Sequence, residues 1–141
     1  MSKDIILSLH PKWFKPIMDG RKIYEIRKRA PLQTGPFKVY LYCTKGEEAW
    51  LTKIIGKQES YQLNGTVCGE FTCRYIVDRR PPFFGENRGT CLTAKELYEY
   101  MGSNDHLCYL NISNPIMYDK PKSLEDFGLT RPPQSWCYVK D

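Results

Sequence analysis

The chain has 141 residues, enough for one folded domain around one core and too few for two. It is 41% hydrophobic and 13% aromatic, a composition typical of globular proteins that excludes an intrinsically disordered chain. No stretch approaches the roughly 18 consecutive apolar residues of a membrane-spanning helix, and the first residues lack the basic-then-hydrophobic layout of a signal peptide. We therefore expect a cytoplasmic protein without a membrane partner.

The formal net charge of +5 is concentrated in one part of the sequence. Residues 12–29 contain seven basic and two acidic side chains, a sum of +5, so the remainder of the chain is neutral. A charge excess gathered in one window is the footprint expected for an anionic partner such as a nucleic acid. The same window is also compatible with a solvated basic face that has no partner.

The cysteines do not follow a metal-binding pattern. The six of them are scattered and no two form a C-x-x-C pair, the spacing that zinc sites usually need. His10 and His106 do not supply a Cys/His cluster in the sequence. We therefore expect reduced thiols that serve as small core residues, with no metal and no cofactor.

The first quarter of the chain reads as strand, helix, turn, strand. Residues 5–9 form a short apolar run typical of a buried strand. Residues 11–19 have a helical apolar face, provided that Pro16 lies in the first turn, where backbone donors are unpaired in any case. Gly20 is a natural left-handed helix end, and residues 23–28 read as the next strand.

Further strands are predicted over residues 37–43, 67–78, 106–118 (as far as Pro115) and 136–139. Thr93 followed by Glu96 predicts a capping box for a helix that ends near Met101, and Ser123 predicts a capped short turn. Residues 45–65 have mixed charge, and the helical spacing of Trp50, Leu51, Ile54 and Ile55 suggests a short helix or packed insertion. Five or six short strands without regular helix alternation predict an α+β fold. It is a small, mixed, mostly antiparallel β-barrel with two or three short helices at its rim.

The segment that carries chemistry has the form G-x-K-x-x-E-x-R and spans residues 20–27. Gly20 lets the chain leave the helix and enter the strand at once. Glu25 and Arg27 are two residues apart on that strand and so share a face, whereas Tyr24 points the other way. Two interpretations stay open: an exposed ion pair of little energetic value, or a site in which Lys22 and Arg27 bind phosphate or a base edge.

The motif gives the sequence a specific resemblance. The residues that carry it are Leu7-Ser8-Leu9-His10-Pro11-x-Trp13, Ile17-x-x-Gly20-x-Lys22-x-x-Glu25-x-Arg27, Thr66-Val67-Cys68-Gly69-Glu70-Phe71 and Pro132-Pro133-Gln134-Ser135-Trp136-Cys137-Tyr138-Val139. This pattern resembles the ASCH domain of the PUA-like superfamily, in its small stand-alone form. The whole chain, 1–141, would then be one such domain with an insertion at 45–65.

What the resemblance implies is a PUA-like β-barrel with a cleft between barrel and helices, lined by the motif, and RNA or a nucleotide as the ligand. Together with the basic window, it predicts a basic cleft built on the G-x-K-x-x-E-x-R motif. Lys22, Glu25 and Arg27 would be the cleft residues, with Gly20 shaping the turn. The basic window and its aromatic neighbour add further candidate binding residues, Lys12, Trp13 and Arg21.

Two enzymatic alternatives remain. One branch of the ASCH family, which this chain resembles, hydrolyses N4-acetylcytidine with the motif lysine, a threonine and a separate glutamate. This chain has Glu25 in place of the threonine, and Glu70 or Glu86 would have to be the separate glutamate. Other members are described as ribonucleases, for which Lys22, Glu25 or Tyr24 could supply acid–base groups.

Besides the motif, exposed aromatic residues could stack bases. Phe83 and Phe84 are the best candidates, because the Pro81-Pro82 loop cannot continue a central strand and must lie at the surface. His10, next to Pro11, is expected to cap a turn.

Overall fold

The computed structural model describes residues 2–50, 60–84 and 89–140. Within these ranges the chain forms eight strands, two short α-helices and two single 3-10 turns. The strands are β1 (Ile5–Leu9), β2 (Tyr24–Arg27), β3 (Phe37–Cys43), β4 (Val67–Cys73), β5 (Ile76–Arg79), β6 (Leu107–Asn111), β7 (Ser113–Lys122) and β8 (Trp136–Tyr138). The helices are α1 (Phe14–Met18) and α2 (Ala94–Met101), and the 3-10 turns cover Pro11–Trp13 and Leu124–Phe127. The described residues contain no helix with the length and apolar character that crossing a membrane requires.

The strands belong to two sheets. The larger sheet has the order β7-β4-β3-β1-β8, in which β1 and β3 run parallel and the other neighbours run antiparallel. The smaller sheet has the order β2-β6-β5 and is antiparallel throughout. The α+β class and the mixed, mostly antiparallel pairing are therefore confirmed.

The two sheets pack against each other around the main core. Leu7 and Leu41 from the larger sheet, Leu110 from the smaller sheet and Phe14 and Ile17 from α1 are all buried in it. The outer face of the smaller sheet packs on α2 through a second cluster that includes Ile26, Leu97 and Tyr109. A third cluster buries the outer face of the larger sheet under the Leu124–Phe127 turn.

No closed barrel forms among the described strands, so the barrel prediction was too specific. At its β2 edge, the smaller sheet contacts β1 and β8 of the larger sheet through side-chain hydrogen bonds and not through a backbone ladder. Arg27 Nη2 donates to the carbonyl of Ser8 at 2.8 Å, and the indole N–H of Trp136 donates to the carbonyl of Arg29 at 2.9 Å. Alternating sequence patterns identify strands but not which edges pair, and here the closing edge is held by side chains.

Two strand predictions need correction. The predicted strand 67–78 is two strands, β4 and β5, because the chain leaves the larger sheet after Cys73 and enters the smaller one at Ile76. The predicted strand 106–118 is also two strands, and its second half continues past Pro115. β7 is an edge strand, where a residue without an N–H removes no inner ladder bond.

Several local predictions are confirmed. Gly20 has a left-handed φ of +85°, and His10 caps the Pro11–Trp13 turn by accepting from the backbone N–H of Lys12 at 3.2 Å. The Thr93/Glu96 capping box is formed, and α2 ends at Met101. The helix expected from Leu51, Ile54 and Ile55 lies outside the described residues, and the insertion and single-domain assignments stay predictions.

Candidate functional site

The motif begins in a turn that two glycines make possible. After Gly20, the backbone N–H of Lys22 donates to the carbonyl of Pro16 at 2.9 Å and anchors the turn to α1. The carbonyl of Gly89 then accepts the N–H groups of both Ile23 and Tyr24, at 2.7 and 2.9 Å. Gly89 has a φ of +79°, and a Cβ there would lie 2.2 Å from Cγ1 of Ile23, so this close approach requires glycine.

Three charged side chains of the motif form a buried cluster. Lys22 is 2% exposed and Glu25 is 5% exposed. Glu25 Oε2 accepts from Arg27 Nε at 2.9 Å and from Nη2 at 2.6 Å, and its Oε1 lies 3.8 Å from Lys22 Nζ. Charged groups are rarely buried unless paired, and here one carboxylate lies between two cations.

Arg27 has a second role in holding the two sheets together. Besides Glu25, its guanidinium donates to the carbonyl of Ser8 at the end of β1 and to the hydroxyl of Ser135, at 3.3 Å, just before β8. Its planar array of donors is therefore largely occupied by protein acceptors. Arg27 is chiefly a clamp between sheets.

Lys22 has fewer partners. Its ammonium donates to the carbonyl of Thr90 at 2.6 Å and lies 4.6 Å from the centre of the Trp13 ring. Burial lowers the pKa of Lys22 below its ordinary value, and the negative charge of Glu25 opposes this shift. The Lys22 amine is thus less firmly charged than an exposed lysine.

A cavity of about 550 Å³ opens in front of this cluster. Its walls come from the start of the chain, from β2 and from α2 with its preceding segment. The lining residues are His10, Lys12, Trp13, Lys22, Glu25, Ile26, Arg27, Leu92, Glu96, Glu99 and Tyr100. Three cations face three carboxylates in this set, so the cavity is polar and close to charge-balanced rather than basic.

Comparisons with known proteins identify the fold. No family model and no curated protein sequence matches the chain. Among solved structures, ASCH from Zymomonas mobilis matches with a TM-score of 0.67 at 20% identity, over 98% of this chain and 88% of that one. A tyrosine-to-phenylalanine variant of ZmASCH from the same organism gives 0.71 at 20% identity over 99% and 91%, and a serine-to-alanine variant gives 0.72 at 19% over 98% and 89%.

The chain has the ASCH fold. The match spans nearly all of the chain. At this level of identity the likeness concerns architecture, and the roles of individual residues have to be argued from this chain's own contacts.

Within this ASCH fold, five of the predicted binding residues line the same cavity: Lys12, Trp13, Lys22, Glu25 and Arg27. Two others do not. Gly20 only shapes the turn, and Arg21 is 62% exposed at its side chain and paired with Asp19 at 3.0 Å. Tyr24 lies on the opposite face of β2, where its hydroxyl bonds to that of Tyr75 at 2.9 Å.

The far wall of the cavity was not predicted from the sequence. It consists of Leu92 and the α2 residues Glu96, Glu99 and Tyr100. Glu96 also completes the capping box, and its hydrogen bonds to the backbone and side chain of Thr93 lower its pKa. The helix itself was predicted from that capping box, so the missing information was only which element α2 faces.

Three other predicted candidates lie elsewhere. Phe83 is buried, 6% exposed, whereas Phe84 is 70% exposed, so the prediction of exposure holds for Phe84 alone. Phe83 is covered because it packs edge-on against Tyr98 of α2. Glu70 accepts from the Tyr118 hydroxyl at 2.9 Å in the larger sheet and does not line the cavity, and Glu86 lies outside the described residues.

Proposed function

We propose that this chain is an ASCH-domain protein that binds RNA or a nucleotide by admitting a base into the motif cavity. The observation that carries the proposal is Lys22, a buried ammonium held between the Trp13 ring and Glu25 on the cavity wall. Burying a charge costs free energy that a scaffold could avoid with an apolar residue of similar volume. A polar ligand inside the cavity would accept a hydrogen bond from the Lys22 ammonium and so account for its burial there.

The balance of charges in the cavity favours a base over a phosphate at its deepest point. A phosphate there would meet the carboxylates of Glu25, Glu96 and Glu99 at close range. A nucleobase is neutral and presents both donors and acceptors, which suits a lysine donor and carboxylate acceptors. Trp13 and Tyr100 offer aromatic faces, and the cavity volume lies within the range of small-molecule sites, about 300–1,000 Å³.

Phosphates fit better at the rim. Lys12 is exposed, and its ammonium lies 4.9 Å from the centre of the Trp13 ring. Lys28 is exposed beside Tyr100, 5.3 Å from that ring centre. These two cations flank the two aromatic walls, where the backbone of a strand whose base has entered the cavity would pass.

Fluorescence anisotropy of a labelled single-stranded RNA tests the proposal. We expect Lys22→Met to weaken binding about 10-fold or more, because each lost charge-assisted contact is worth roughly 1.5–3 kcal/mol. Arg21→Met is the matched control, a motif cation outside the cavity, and we expect it to change affinity less than about 3-fold. Binding that is absent at low salt, or that responds equally to the two substitutions, would contradict the proposal.

A hydrolase acting on a modified nucleoside or on RNA is the second candidate. The observation that favours it is the lowered pKa of Lys22. The carboxylates of Glu96 and Glu99 line the same cavity, so the amine and a carboxylate could serve together as acid–base groups. The test incubates the protein with N4-acetylcytidine and, separately, with single-stranded RNA, and follows cytidine release and strand length. Turnover that disappears in Lys22→Met would move this candidate ahead of simple binding; intact substrates would leave binding as the function.

A further inference from the structure

A second group of chemically reactive side chains lies on the small sheet, outside the motif cavity. Asp78 is on β5, Cys108 is on β6, and His106 immediately precedes β6. We propose that these three residues form a binding site for Zn²⁺. The proposal does not depend on RNA binding. The three residues line a second cavity, which shares no lining residue with the motif cavity.

Strand pairing brings the three residues together. Asp78 and Cys108 are direct partners in the antiparallel register, so their side chains share one face of the sheet. His106 precedes Cys108 by two residues and falls on the same side. One ligand atom from each of the three lies within 4.8 Å of the others.

The spacing is close to that of an assembled site. With metal bonds of about 2.0–2.3 Å in a tetrahedral arrangement, ligand atoms lie roughly 3.3–3.8 Å apart. Cys108 Sγ and Asp78 Oδ1 are already 3.8 Å apart. The imidazole nitrogen already lies within 4.8 Å of the other two ligand atoms, so a contraction of about 1 Å completes the tetrahedral spacing.

The donor set favours zinc. One thiolate, one imidazole and one carboxylate are all ordinary zinc ligands, whereas Mg²⁺ and Ca²⁺ prefer oxygen alone. Three protein ligands leave a fourth position for water or a substrate atom, as in catalytic zinc sites. The site is therefore expected to be open rather than purely structural.

An outer layer of side chains supports the histidine. His106 Nδ1 lies 2.8 Å from Asp105 Oδ1, and Asp105 in turn is held by Arg80 at 3.1 Å. A carboxylate on one ring nitrogen fixes the ring and directs the other nitrogen, here Nε2, to the metal.

Metal binding must displace a proton from Cys108. A buried thiol without a cationic neighbour carries its proton at neutral pH, so Cys108 is protonated in the metal-free protein. Binding follows Cys108–SH + Zn²⁺ → Cys108–S–Zn⁺ + H⁺, with the sulfur forming the bond to zinc as the proton passes to solvent. The carboxylate that disfavours the thiolate becomes a ligand of the same metal.

The surroundings give access and do not forbid a cation. The three side chains line a cavity of about 1000 Å³. Lys28 and Arg29 also line it, but the charged group of each lies over an aromatic ring. The Lys28 ammonium lies over Tyr100, and Cζ of Arg29 lies 4.2 Å from the centre of the Trp136 ring. The thiolate and the carboxylate together would neutralise a divalent ion.

Cobalt titration of the reduced, chelator-treated protein tests the site, because Co²⁺ reports its ligands by absorption. We expect one equivalent to bind with a sulfur-to-cobalt charge-transfer band and the intense visible bands of tetrahedral cobalt, all removed by Zn²⁺. Calorimetry in two buffers of different ionisation enthalpy should show release of about one proton. No stoichiometric binding, or a cobalt spectrum without the sulfur band, would overturn the proposal.

Variants assign the ligands. Cys108→Ser should abolish the sulfur band, and Cys91→Ser, at an exposed cysteine, should leave it unchanged. Since Cys108 is buried and its variant can fail to fold, His106→Gln gives an independent test, with His10→Gln as control. We expect His106→Gln to weaken binding at least 10-fold and Asp105→Asn to weaken it about 10- to 100-fold. Wild-type affinity in His106→Gln, or a sulfur band that survives in folded Cys108→Ser, would refute the site.

Discussion

Lys22 and Arg27 belong to one motif and share the carboxylate of Glu25, but they differ in how the fold uses them. Arg27 donates to acceptors on three separate segments, whereas Lys22 has one carbonyl, one ring and a distant carboxylate oxygen. The lowered pKa of Lys22 also indicates that its surroundings only weakly support its charge. Arg27 is thus tied to stability, and Lys22 is the residue to which we assign the proposed ligand binding.

This difference leads to a stability prediction. We expect Arg27→Met to lower the free energy of unfolding by about 3–5 kcal/mol, because Glu25 would be left buried without its two strong hydrogen bonds. Lys22→Met should cost only about 1 kcal/mol, since its stem and its contact with Trp13 are kept. Urea denaturation of both variants, with Arg21→Met as the exposed control, measures the two effects. A loss for Lys22→Met equal to that for Arg27→Met would show that both cations are structural.

The cysteines allow a second prediction about single residues. Burial raises the pKa of the Cys73 thiol to about 11, so at pH 8 only about one thiol in a thousand is a thiolate. Cys91 is exposed. We expect a disulfide reagent at pH 8 to modify Cys91 quickly and Cys73 only after unfolding, with peptide mapping as the readout. The fast phase should be missing from Cys91→Ser; a fast phase that persists there would contradict the assignment.

At the scale of elements, α2 is both a helix with a strong start and the far wall of the motif cavity. Thr93 Oγ1 accepts from the N–H of Glu96 at 3.1 Å, and Glu96 Oε1 accepts from the N–H of Thr93 at 2.9 Å. Since Glu96 also lines the cavity, the cap couples helix stability to the shape of the site.

We therefore expect Thr93→Ala to lower the free energy of unfolding by about 0.5–2 kcal/mol and to weaken RNA binding as well. Thr130→Ala, at an exposed threonine, is the control and should change stability by less than about 0.5 kcal/mol. Paired denaturation and anisotropy measurements test both effects. Weaker RNA binding without any loss of stability would mean that Thr93 acts on the ligand directly.

The elements also show how far the sequence can predict this molecule. The strand at 37–43, the α2 capping box and the shared face of Glu25 and Arg27 followed from local patterns, because side-chain spacing and capping chemistry involve neighbouring residues. The division of 67–78 into two strands did not, because the alternating pattern continues while the chain moves from one sheet to the other. Likewise, Pro115 stops a central strand but not an edge strand, and edge position depends on the whole sheet.

The same limit applies to the motif cavity and to the proposed zinc site. The α2 wall of the motif cavity faces β2 across more than sixty residues of chain, and no local pattern encodes that contact. From the sequence we expected no metal site, because it contains no close cysteine pair. Asp78 meets Cys108 only through the register of β5 and β6, which local spacing does not reveal.

At the scale of the whole molecule, folding disperses the charge that the sequence concentrates in residues 12–29. Lys22 and Arg27 become largely buried, Arg21 pairs with Asp19, and exposed Lys12 and Lys28 remain beside the motif cavity. The basic window is therefore not a continuous patch. For the proposed binding mode this means that few phosphates are neutralised at once and that base recognition supplies much of the affinity.

This arrangement predicts a shallow salt dependence of RNA binding. With the two rim cations Lys12 and Lys28 in contact, the slope of log K against log salt for single-stranded RNA should be about −1.4, at roughly −0.7 per phosphate. Lys12→Ala should reduce the slope by about 0.7, whereas Lys22→Met should lower the affinity at every salt concentration and leave the slope unchanged. Lys120→Ala, exposed on the edge strand β7 of the larger sheet, is the control and should alter neither quantity. A steep slope that Lys12→Ala does not reduce would place the phosphate contacts on another surface and remove the rim from the binding model.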